Sequence, residues 1–161
     1  MKRLIRSFRY AFQGIFRTVW EERNFRIHLT AVFFVSWLAV LYGVSPLEAA
    51  VLVLVFFNVL ALELVNTAVE NAVDHGSLKT SPYALRAKDA SAGAVLLAAV
   101  SAVTVAVLMF RDGEKWAAVR DKVFSLPRGA FVLIAVVLAV LFVFGFGTKK
   151  RPAPDRENEN L

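Results

Sequence analysis

The chain has 161 residues, of which 58% are hydrophobic and only 20% charged, with a net charge of +6 and no cysteine. One core of this length cannot hide so much apolar surface, which excludes an ordinary soluble domain, and the missing cysteines exclude a disulfide framework or a cysteine metal site. The basic residues flank apolar runs, which reads as contact with anionic headgroups; no stacking motif or recognition helix points to nucleic acid, and none is expected as a partner.

Residues 1–28 read as an amphipathic helix. Leu4, Ile5, Phe8, Ala11, Phe12, Ile15, Phe16, Val19 and Trp20 recur at helical spacing, and Lys2, Arg6, Arg9, Gln13 and Arg17 fall on the opposite face. One aromatic-aliphatic face and one basic face suit a helix lying in the membrane interface. The charges recur throughout the first 26 residues, so no signal-peptide core is expected there.

Four apolar runs follow. The first, Ile27 to Val44, is long enough to cross a bilayer, and the second, Ala49 to Leu62, continues as a helix through polar positions to about Asp74. A polar stretch from His75 to Ala87 reads as loop on its Gly, Ser and Pro content. The third run, Ser91 to Phe110, is uncharged and of spanning length. Residues 29–110 thus form a three-span core. Residues 111–128, with Trp116, Val119, Val123 and Phe124 at helical spacing among charges, predict a short interfacial linker helix. Residues 129–147 predict a fourth span, and the polar, Pro-containing tail 148–161 is expected to be disordered. The expected fold is an all-α membrane protein: a surface helix, three core spans and one additional carboxy-terminal span.

Lys and Arg placement sets an expected orientation. Seven basic residues, Lys2 to Arg26, precede the first span and none lies in the first hairpin; Lys79, Arg86 and Lys88 follow the second run. This places both termini and the 75–90 loop in the cytoplasm. Arg111, Lys115, Arg120, Lys122 and Arg128 run against the rule, since they would lie outside.

The second helix carries Glu63, Asn66, Glu70 and Asp74. A carboxylate inside a span costs on the order of 2.5–3.5 kcal/mol on insertion scales, so such residues normally face a partner or a cavity. Glu70 and Asp74 project within about 20° of Glu63, with Asn66 about 60° away, so the four share a face. Glu63 lies roughly 24 Å along a helix starting near Leu47, at the edge of the hydrocarbon. Glu63 and Glu70 are about 10 Å apart along the axis, too far to share one metal, and so have different tasks. Glu63, the deeper and less hydrated, suits proton abstraction from a lipid hydroxyl. Glu70 and Asp74 suit Mg²⁺ or solvent. Glu22, just before the first span and at similar depth to Glu70, can join it on a phosphate-bound Mg²⁺, which takes only one or two protein carboxylates. Lys88 and Asp89, directly before the expected third helix, add a cation near a helix amino end. Together these are the parts of a phosphoryl-transfer site.

Each residue also has a plainer reading. Glu70 or Asp74 can snorkel, Lys88 can anchor the loop, Asn58 suits helix–helix bonding, and His28 and His75 read as boundary residues. A non-enzymatic membrane adaptor and an ion pathway are the competing functions.

Three stretches, Glu-Glu-Arg-Asn-Phe-Arg at 21–26, Glu63-Leu-Val-Asn66-Thr-Ala-Val-Glu70-Asn-Ala-Val-Asp74, and Ala87-Lys88-Asp89 with the following Ala-Ser-Ala-Gly-Ala-Val-Leu-Leu-Ala, resemble the bacterial diacylglycerol kinase and undecaprenol kinase family over about residues 1–110. The resemblance implies an ATP-dependent lipid kinase of the bacterial cell membrane, with Glu63 as catalytic base and Glu22 and Glu70 as metal-linked ATP ligands. It implies ATP contacts from Lys88, Asp89, Arg3 and Tyr10, and polar support for the base from Asn66. It also implies a homotrimer with its sites at the cytoplasmic interface. The stretch Lys79-Thr80-Ser81-Pro82-Tyr83 departs from the aromatic–histidine pair common in that family's loop, and the fourth span lies outside the shared core. The Arg-Asn-Phe-Arg-Ile-His-Leu entry, the Ser-Ala-Gly-Ala-Val-Leu-Leu-Ala helix start and Ala92 resemble the undecaprenol branch, which favours a polyprenol over diacylglycerol.

Overall fold

The computed structural model describes residues 2–75, 81–124 and 128–145, and these form α-helices without a strand. They are α1 (Lys2–Glu21), α2 (Arg23–Tyr42), α3 (Pro46–His75), α4 (Pro82–Met109), α5 (Gly113–Phe124) and α6 (Arg128–Phe144). Among them α2, α3 and α4 are long and apolar enough to cross a membrane. Their outward faces are apolar: Val40, Leu54, Phe57 and Leu97 are each at least 70% exposed. In water this would be prohibitive, and in lipid it is the expected solvent contact. The chain is therefore an all-α integral membrane protein. α1 leaves Leu4, Ile5, Phe8, Phe12, Phe16 and Trp20 uncovered on one face.

Local chemistry sets the helix ends. Glu22 alone is extended (φ −107°, ψ 114°) and separates α1 from α2, so Arg23 to His28 belong to α2 rather than to the surface helix. Gly43, at φ 75°, closes α2 in the left-handed conformation that favours glycine. Ser45 and Glu48 then form a reciprocal capping box: the Ser45 backbone N–H donates to Glu48 Oε2 at 2.6 Å, and the Glu48 N–H donates to Ser45 Oγ at 3.3 Å. Pro46 occupies the first turn, where its missing donor costs nothing.

α3 and α4 share the most extensive interface, with α2 packed on α3. The buried residues of α3, Leu52, Val59, Glu63 and Thr67, lie at spacings of seven and four on a single stripe. α4 answers with Ala84, Val95 and Ala98, mostly small residues that permit close approach of backbones in lipid.

α4 begins nine residues before the expected start at Ser91. Ser81 (φ −70°, ψ 133°) precedes Pro82 in the first turn, a start signal outweighed at the sequence level by the polar content of the stretch. Residues 76–80, including Lys79, lie outside the described residues, as does the tail 148–161 expected to be disordered.

α6 runs antiparallel along α2: Phe131 meets Trp37 edge-on at 5.6 Å between ring centroids, and the Val143 carbonyl reaches Arg26 at 3.3 Å. The 17-residue helix is about 25 Å long, and the contacts at Trp37 and Arg26 hold it beside the first span over most of that length. α5 meets α6 at 89° and packs on the far end of α2. There Lys115 lies over the Tyr42 ring at 5.0 Å, Lys122 Nζ donates to the Leu41 carbonyl at 3.1 Å, and Tyr42, Phe110 and Trp116 stack edge to face. Two of the cations that run against the positive-inside pattern are thus engaged by the protein itself.

Candidate active site

The polar face of α3 forms three tiers against α2 and α4. Glu63 is deepest and only 3% exposed. Its Oε1 lies 3.0 Å from His28 Nε2, on the second turn of α2. His28, which reads from sequence as a boundary residue, is therefore the partner of the buried acid. The antiparallel α2–α3 hairpin produces this pairing; no single-helix pattern announces it.

One turn nearer the end of α3, Asn66 Nδ2 donates to Glu70 Oε1 at 3.1 Å, and Ser91 Oγ donates to Asn66 Oδ1 at 2.7 Å. The Ser91 hydroxyl also lies 2.9 Å from the Lys88 carbonyl. Ser91 had no place among the sequence candidates. Its signal was weak but present: a hydroxyl three residues after Lys88, on the same helix face. Asn66 thus bonds to Glu70 and not to Glu63, the acid it was expected to support.

In the third tier Lys88 Nζ donates to Asp74 Oδ1 at 2.8 Å. Lys88 is the seventh residue of α4, about 9 Å from its start, so it is not at the helix amino end as the sequence suggested. Dipole attraction fades beyond the first turn, and its contribution rests on the ammonium itself. Asp89 is exposed at the next position.

Glu22 stands at the α1–α2 break, half-buried, with its Oε1 buried. One turn on, Arg26 has no solvent exposure. Its Nη1 donates to the carbonyls of Val19 at 3.1 Å and Trp20 at 2.9 Å, and its Nε donates to that of Val143. These carbonyls end α1 and α6 and lack intrahelical partners, so one guanidinium caps two helix termini and the opposing dipole ends offset its burial. Arg26 reads from sequence only as a topology charge.

Arg3 and Tyr10 lie upstream on α1. Arg3 is exposed, about 28 Å along the helix from Glu22. Tyr10 is half-buried, with Arg9 over its ring at 5.4 Å. Among the described residues, no three His, Asp or Glu side chains converge as a metal cage. Mg²⁺ carried on a nucleotide takes only one or two protein carboxylates, with its other ligands from phosphate and water.

The spanning helices thus bring together a buried acid with an imidazole partner, a second carboxylate bonded to Asn66 and a lysine paired with Asp74. The prokaryotic diacylglycerol kinase family model matches residues 9–110, and the chain belongs to that family. It is 38% identical over 110 residues to a protein named undecaprenol kinase from Bacillus subtilis, covering 68% of this chain and 89% of that one. It is 44% identical over 104 residues to a diacylglycerol kinase from Synechocystis, covering 63% of this chain and 59% of that one, and 33% identical over 97 residues to a diacylglycerol kinase from Helicobacter pylori, covering 60% and 75%. No solved structure matches. The chain is accordingly a lipid phosphotransferase, which selects the enzyme over the adaptor and ion-pathway readings. The matched segment ends at Phe110, so α5 and α6 lie beyond it.

Proposed function

We propose that the protein transfers the γ-phosphate of ATP to undecaprenol, giving undecaprenyl phosphate, at the cytoplasmic edge of the bacterial cell membrane. The observation that carries this reading is the tiered face of α3, with Glu63 buried and Glu70, Asn66, Ser91, Asp74 and Lys88 extending from it toward the helix end. A lipid alcohol presents its hydroxyl at the level of Glu63 while its chain remains in the bilayer. Glu63 accepts the hydroxyl proton as the lipid oxygen forms its bond to the γ-phosphorus. The bond from phosphorus to the bridging oxygen breaks, and ADP leaves with the electron pair.

Glu70, oriented by Asn66, and Glu22 hold the Mg²⁺ carried by the nucleotide, which neutralises phosphate charge when bound. Lys88 supplies a cation to the phosphates, with Asp74 holding its ammonium in place and Asp89, Arg3 and Tyr10 as further nucleotide contacts. The uncovered apolar faces of α3 and α4 suit both lipid and the neighbouring copies of a homotrimer. Diacylglycerol is the second acceptor to test, because the similar proteins from Synechocystis and Helicobacter pylori are named diacylglycerol kinase. Labelled ATP offered to the purified chain in lipid micelles should yield labelled undecaprenyl phosphate. Preferential labelling of phosphatidic acid would reassign the substrate, and no transfer to either lipid by folded protein would overturn the reading.

A further inference from the structure

We propose that His28 is a positioning residue for Glu63: its imidazole holds the carboxylate through Oε1 and leaves Oε2 for the acceptor hydroxyl. The proposal rests on the kinase reading above and extends it to a residue on a different helix. Three observations carry it. Nε2 of His28 and Oε1 of Glu63 are 3.0 Å apart, within hydrogen-bonding distance. The Glu63 side chain is 4% exposed and that of His28 24%, so the acid is screened from water and the imidazole marks its more open side. Among the described residues, no other hydrogen bond or ion pair engages Glu63, so its second oxygen is uncommitted.

The chemistry favours an imidazole here. A carboxyl group this well screened from water needs a hydrogen-bond donor to offset its burial. A permanent cation would satisfy the charge but compete with the proton that the base must accept. A neutral imidazole donates one N–H and adds no formal charge. It also fixes the side chain against rotation, which matters because Glu has three rotatable bonds and a general base must meet its proton within about 2.6–3.2 Å. The nearby Arg26, on the same helix, is committed to helix-end carbonyls and leaves this task to His28.

The test compares full-length wild type with His28→Phe, His28→Gln and His28→Asn in the same micelles, reading kcat and the KM for MgATP separately. Gln carries an amide donor on a side chain long enough to approach Oε1, Asn is one methylene shorter, and Phe keeps the ring but has no donor. His28→Phe should lower kcat on the order of 10- to 100-fold, the cost expected for a misplaced catalytic group, with the KM for MgATP unchanged. His28→Gln should recover much of that loss and His28→Asn little of it. Wild-type kcat in His28→Phe, or equal activities for Gln and Asn, would overturn the proposal. So would a loss expressed in the KM for MgATP. If His28→Phe fails to fold, the Gln–Asn comparison decides alone. A wild-type chain inactive on both lipids would overturn the kinase reading and this proposal with it, whereas an active wild type with indifferent variants overturns this proposal only.

Discussion

Arg26 of α2 donates to the carbonyl of Val143 at 3.3 Å across 117 positions of sequence, and the same guanidinium closes the end of α1 through Val19 and Trp20. α1, α2 and α6 therefore meet at one buried cation, one turn from Glu22. Arg26→Met keeps much of the side-chain length but removes every donor, stranding three helix-end carbonyls. Charge-assisted hydrogen bonds contribute about 1.5–3 kcal/mol each, with non-additive effects. The variant should lose on the order of 3 kcal/mol or more of stability, read as a lower thermal midpoint in micelles. Trp37 fluorescence should also shift as Phe131 moves away from it. An unchanged midpoint would show that α6 is held by apolar packing alone.

The middle tier predicts a nucleotide phenotype. Ser91→Ala removes the donor to Asn66 Oδ1, leaving a part-buried acceptor unsatisfied at a cost of about 1–3 kcal/mol. Glu70 then loses its oriented partner. The KM for MgATP should rise several-fold with a smaller change in kcat, and Asn66→Ala should behave similarly. A kcat defect without a KM change would place Ser91 with Glu63 instead.

Lys88 and Asp74 separate a structural pair from a phosphate contact. If Lys88 binds phosphate, Lys88→Met should raise the KM for MgATP at least tenfold, and Asp74→Asn should cost much less. If the two only brace α3 against α4, both single variants and the double variant should show the same modest loss of stability, and MgATP affinity should not move. Titration of nucleotide binding in the four proteins of this cycle distinguishes the outcomes.

The requirement for a divalent cation should be absolute, and Glu70→Gln should shift the Mg²⁺ dependence to higher concentration. Chelation should stop transfer and added Mg²⁺ should restore it. Activity that persists through chelation would remove Glu22 and Glu70 from the metal role.

Much of this architecture was legible in the sequence, and the limits have physical causes. The apolar runs, the amphipathic first segment and the shared face of Glu63, Asn66, Glu70 and Asp74 follow from the period of one helix, which a sequence carries locally. The start of α4 was misplaced although Ser81 and Pro82 form an ordinary start signal, because the polar residues between them and Ser91 resemble loop. The roles of His28, Ser91 and Arg26 were not legible. Each is set by a contact across helices, from α2 to α3, from α4 to α3 and from α2 to α6, and the register between helices is a property of packing rather than of any one segment. Lys88 shows the intermediate case: the residue was identified as a candidate cation, but its position seven residues into α4 removed the helix-end argument that first recommended it.

The most direct measurement is transfer of labelled γ-phosphate to undecaprenol and to diacylglycerol, run side by side with wild type and Glu63→Gln. Wild type should label undecaprenol preferentially. Glu63→Gln, folded and assembled as wild type, should fall by about 10²–10⁴-fold, the usual contribution of a general base. Transfer by Glu63→Gln at the wild-type rate would contradict the central claim that the buried acid on α3 is the base.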